Sequence, residues 1–100
     1  MSGEDVSLRA ALLREAERLI TGDRNQTYGS PTQNFTNTAE IWTAQMRHKL
    51  APGVVFEAHD VAALMIGLKL ARLQADPKKL DTWVDLAGYA ACGGEAAEAA

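Results

Sequence analysis

Apolar residues recur three and four positions apart almost everywhere in this chain, and almost nowhere in strict alternation. Leu8, Leu12, Ala16 and Leu19 form one such series; Phe35, Ala39, Trp42 and Met46 form another. Residues at that spacing share one face of a helix, whereas a half-buried strand requires a period of two. β-Branched residues are sparse. The expected fold is therefore all-α. Four helical segments in 100 residues, joined by short connections, make a small antiparallel four-helix bundle.

Local signals set the expected limits. Helix one is expected from Val6 to Ile20, with Gly22 as its stop and Glu15 on the edge of its apolar stripe. Ser30 followed by Pro31 is a strong helix start, so helix two begins there and ends before Pro52-Gly53. Helix three is expected from Ala58 to Ala75, closed by Asp76-Pro77. It is apolar on two faces, as a central helix packed on both sides would be. Helix four is expected from Leu80 to Cys92, with Trp83, Leu86, Ala87 and Ala90 inward and with Asp81, Asp85, Gly88 and Cys92 on a separate stripe. One helical domain over residues 1–93 and a flexible, acidic, Ala-rich tail over 94–100 follow.

Composition narrows the function. The net charge is −3 and the pI about 5.3, which argues against a general nucleic-acid binder but not against one small anionic ligand. Cys92 is the single cysteine, so neither an internal disulfide nor a Cys-rich metal site is expected. No apolar run reaches signal-peptide or membrane-spanning length, so the expected location is cytoplasmic, with no membrane partner. A chain this short buries a modest core, and a homodimer or higher homo-oligomer is expected to help it.

Three groups of residues could carry chemistry. Lys69 and Arg72 neighbour one another on helix three, and Asp81 and Asp85 lie four apart on helix four. Either the four form a structural ion-pair network, or the cations meet phosphate while the acids hold a divalent cation. Gly88 leaves space beside them, and Tyr89 could stack on a base. The stretch TGDRNQTYGSP is the second group. Asp23, Arg24, Asn25 and Tyr28 offer side chains, and the start of helix two beyond it suits an anion. His59 and Asp60 are the third; Asp60 suits a helix start, and with His48 distant no zinc site is expected.

At LREAERLITGDRNQTYGSPTQNF, HDVAALMIGLKLAR and DTWVDLAGYAACG the chain resembles a family of small, uncharacterised bacteriophage and prophage proteins, over about Leu12 to Gly93. DTWVDLAGY is more distantly similar to the MazG-like all-α nucleotide pyrophosphohydrolases. That likeness implies Mg²⁺ on Asp81 and Asp85, with Lys69 and Arg72 on phosphate. The Glu pair of that family's earlier helix has no counterpart here. Helix two offers only Glu40, off its apolar face, so Glu15 or Asp60 would complete the acid set. The expected function is nucleotide binding, with Mg²⁺-dependent hydrolysis of a nucleoside triphosphate as its catalytic form. The alternatives are a non-catalytic module that sequesters or senses a nucleotide, and a structural or host-protein interaction module.

Overall fold

A computed structural model describes residues 7–22 and 29–100. Among them are four helices and no strand: α1 (Leu8–Ile20), α2 (Pro31–Gln45), α3 (Ala58–Ala75) and α4 (Leu80–Ala99). The all-α expectation holds.

Each helix start has a local cause. Ser7 Oγ accepts from the Ala10 N–H at 3.3 Å and opens α1. Ser30 Oγ accepts from the Gln33 N–H at 3.1 Å, and Pro31 follows at the first helical position. These caps satisfy donors that a helix start otherwise leaves unpaired. Before α3, the Asp60 carboxylate accepts from the Glu57 N–H at 2.8 Å. The turn after α3 closes with Asp76 Oδ1 accepting from the Lys78 N–H at 3.0 Å. Trp83 Nε1–H then donates to the Pro77 carbonyl at 2.9 Å, stapling the start of α4 to that turn.

α4 lies between α3 and α1, and α2 packs chiefly on α3. α3 and α4 run antiparallel, since Lys69 meets Asp85 near their shared turn and Ala62 faces Gly93 at the far end. Small residues fill the interior: Ala16, Ala39, Val61, Ala62, Val84, Cys92 and Ala96 are buried. Close approach of helix axes replaces bulky side chains as the source of packing. A Cβ built on Gly93 would lie 2.8 Å from the Ala62 Cβ, so only glycine fits that crossing.

Three expectations are corrected here. The inward stripe of α4 is Thr82, Val84, Gly88, Cys92 and Ala96, whereas Trp83 and Ala90 are exposed. The small stripe lets α1 and α3 come close, and the Trp83 indole is drawn out of the core by its bond to Pro77. α4 does not end at Cys92; it runs through Gly93 and Gly94 to Ala99, with Ala96 buried. α3 is not covered on both sides. Val61, Ala62 and Lys69 are buried, but Leu64, Leu68 and Leu70 are about half exposed.

Candidate functional site

A cleft of about 370 Å³ opens between α1, the start of α2 and the middle of α4. Leu19 and Ile20 make one wall. Phe35 and Tyr89 make another, with ring centroids 6.1 Å apart and planes inclined by 28°. Gly88 lines it without a side chain; Ile20 passes so close that a Cβ there would meet its Cγ2 at 3.3 Å. Polar groups enter from two sides. Asn34 stands one turn into α2, near the positive end of that helix dipole. Its side chain makes no hydrogen bond among the described residues. Opposite, α4 contributes the Asp85 carboxylate.

Asp85 is not alone. Lys69 Nζ stands 2.8 Å from its Oδ2, and the Lys69 side chain is only 11% exposed while that of Asp85 is 36% exposed. An ammonium so far from water needs its carboxylate, and Asp85 reaches from the lysine to the edge of the cleft. Lys69 and Asp85 thus meet. Arg72 and Asp81 are exposed, and neither makes an ion pair among the described residues.

The other candidate residues stand elsewhere. Glu15 is half-buried on α1 and takes a two-pronged contact from Arg18, which holds its carboxyl below the usual carboxylate range through the hydrogen bonds and the charge of the guanidinium. Asp60 is part of the α3 cap, roughly 13 Å along the helix from Lys69 at 1.5 Å per residue. Tyr89 lines the cleft. Asp23, Arg24, Asn25 and Tyr28 lie outside the described residues. Gly22 and Gly29, on either side of them, both have positive φ (100° and 83°), where glycine is favoured.

Sequence reasoning missed Asn34 and Phe35 as cleft residues. Their signal was position: one turn past a capped helix start, facing a Gly-containing stripe. It also missed Glu57. With His59 and Asp60, Glu57 forms a group whose ligand atoms lie within 4.8 Å of one another. His59 Nδ1 is 3.5 Å from Glu57 Oε2 and Nε2 is 3.7 Å from Asp60 Oδ1. The Asp60 carboxylate already caps α3, and the positive end of the helix opposes a cation there. It is the one such group found among the described residues, and it contains neither Asp81 nor Asp85.

Cys92 lines the cleft floor. Burial pushes its thiol up, and the nearby Glu95 charge adds to the rise. A raised pKa leaves less thiolate at neutral pH, and the buried Cys92 is the weaker nucleophile for it. At neutral pH, Cys92 in the folded protein is expected to react with a chromogenic disulfide reagent many-fold more slowly than after denaturation. Equal rates in the two states would contradict this assignment.

The family described as a domain of unknown function (DUF6378) matches residues 11–97. Over 82 residues the chain is 38% identical to the Gene 55 protein of Mycobacterium phage D29, covering 82% of this chain and 50% of that protein. Over 80 residues it is 42% identical to the Gene 55 protein of Mycobacterium phage L5, covering 80% and 48% respectively. The chain thus spans about half the length of these curated relatives. No solved structure matches. No helix among the described residues is long and apolar enough to cross a membrane.

Proposed function

From the premise that this chain belongs to the DUF6378 family, a phage small-protein family of unknown function, we propose that its cleft binds a nucleotide or a related phosphorylated metabolite. The observation that carries this reading is the cleft itself. Its volume lies in the range of small-molecule sites, its walls are apolar and aromatic, and its few polar groups converge from two helices. In the proposed pose a planar base lies against Phe35 and Tyr89 and donates to Asp85. The phosphate end points to the start of α2 and to the Asn34 amide.

The catalytic form of this proposal is a MazG-like, Mg²⁺-dependent pyrophosphohydrolase. The acid set fits that metal poorly. Asp85 already carries the Lys69 ammonium at 2.8 Å, Asp81 is exposed, and Asp60 belongs to the α3 cap. A binding module that sequesters or senses its ligand agrees better with this arrangement, and no hydrolytic step is derived.

The test is a thermal-shift titration of the purified protein with mono-, di- and triphosphate nucleotides, with and without Mg²⁺. A ligand at 100 times its dissociation constant adds roughly 2.7 kcal/mol, a rise of several degrees for a domain this size. The expected result is a metal-independent shift that Asn34→Ala removes while leaving the unliganded melting temperature nearly unchanged. No shift with any nucleotide would sink the proposal. A shift that requires Mg²⁺ and is followed by pyrophosphate release would replace the binding module with the hydrolase.

A further inference from the structure

Between Asp60 and Arg72 the open face of α3 has no charge on it. Ala63, Leu64, Gly67, Leu68, Leu70 and Ala71 are all exposed there. An apolar helix face belongs against a partner, and α4 and α2 pack on other faces of this helix. The whole molecule shows the same deficit. Its accessible surface is 7100 Å², whereas a compact chain of 10.8 kDa exposes about 5,500 Å². Its radius of gyration is 15.7 Å, against about 13 Å for a compact chain of this length. The excess of about 1,600 Å² is of the size that one subunit's share of a homodimer interface takes, since such interfaces total roughly 2,000–5,000 Å².

The charges that border this face fit a second copy. Asp60, Leu64, Leu68 and Arg72 are spaced four apart and form one ridge along α3. Turned end to end about a two-fold axis midway between Leu64 and Leu68, the ridge is complementary to itself: Asp60 faces the other Arg72, and Leu64 faces the other Leu68. Arg72 has no ion-pair partner among the described residues, and Asp60 Oδ1 makes only a 3.7 Å approach to His59. Gly67, on the neighbouring ridge with Ala63 and Ala71, has nothing within 4 Å of where a Cβ would lie, which leaves room for a helix to approach closely.

We propose that two copies of this chain pair through the uncharged face of α3, antiparallel, with Asp60 and Arg72 closing each end of a Leu64–Leu68 seam. The interface does not depend on the ligand reading of the cleft.

Sedimentation of the purified chain tests the state, and a cysteine flanking the seam tests the face. A dimer is expected for the unmodified chain. Arg72→Glu, which sets like charges opposite each other, is expected to weaken it at least about tenfold. Gly67→Cys, which flanks the seam, is expected to form a covalent dimer with a short bis-maleimide cross-linker. Leu13→Cys, exposed on α1, and the unmodified chain with Cys92 alone are expected to stay unlinked. A monomer at every concentration, or a dimer in which Gly67→Cys fails to cross-link, would overturn the proposal. Because Gly67→Cys adds a side chain into open space, loss of folding is not expected to obscure the result.

Discussion

Asp85→Ala is expected to destabilise the protein by about 2–3 kcal/mol, at the low end for a broken buried pair because Asp85 itself is partly open to water. For a domain of this size that is a fall of roughly 10–20 °C in melting temperature. The loss comes from Lys69: its ammonium is nearly closed off from solvent and would be left without its carboxylate at 2.8 Å. The reciprocal change, Lys69→Met, is expected to cost less, because the orphaned carboxylate still reaches water. Lys69→Met combined with Asp85→Asn should recover most of the loss, since no buried charge then remains. A chemical-denaturation cycle over the four proteins checks this. If Asp85→Ala costs under about 1 kcal/mol, the pair behaves as an ordinary surface contact and Lys69 reaches water in solution.

Two adjacent glycines are expected to respond with opposite signs. At Gly93 a new methyl would lie 2.8 Å from the Ala62 Cβ, an atom fixed to its backbone that cannot swing aside. Gly93→Ala is expected to cost about 1–2 kcal/mol net, because overpacking outweighs the gain of about 1 kcal/mol in helix propensity. Gly93→Val, with two further methyls in the same space, is expected to cost about 3 kcal/mol. At Gly94 there is nothing within 4 Å, so Gly94→Ala is expected to stabilise by about 0.5–1 kcal/mol. Ala62→Gly should relieve Gly93→Ala in the double variant. Equal effects at the two glycines would mean that α3 and α4 do not cross where Ala62 meets Gly93.

Much of the secondary structure was legible beforehand. The limits of α3 follow from the polar EAHD start and the Asp76-Pro77 stop, and the structure has them at Ala58 and Ala75. Ser30-Pro31 opens α2 as expected. These signals are local, carried by a cap hydroxyl, a ring that fixes φ, and a missing N–H. The pairing of Lys69 with Asp85 was legible as one of several pairings among two cations and two acids; which acid took which cation was not. The cleft was legible only in fragments, as Gly88 and Tyr89 on α4 and a capped start on α2. Asn34 and Phe35 were marked only by their position one turn past that start, because an amide and a ring on an amphipathic helix read by type as ordinary surface and core.

What the chain's own residues determined, without reference to tertiary contacts, is the helical class and where most helices begin and end. Apolar periodicity, caps and breakers act within a few residues and need no partner. The tertiary structure decided which face of α4 turns inward and how far that helix runs. By size, Trp83 and Leu86 claim the interior, yet Gly88, Cys92 and Ala96 hold it. Packing rewards close approach of whole helices as well as the bulk of single side chains, and closeness depends on what stands opposite. For Gly93 that is Ala62 and for Gly88 it is Ile20, residues far away in the chain that no local pattern can bring into register.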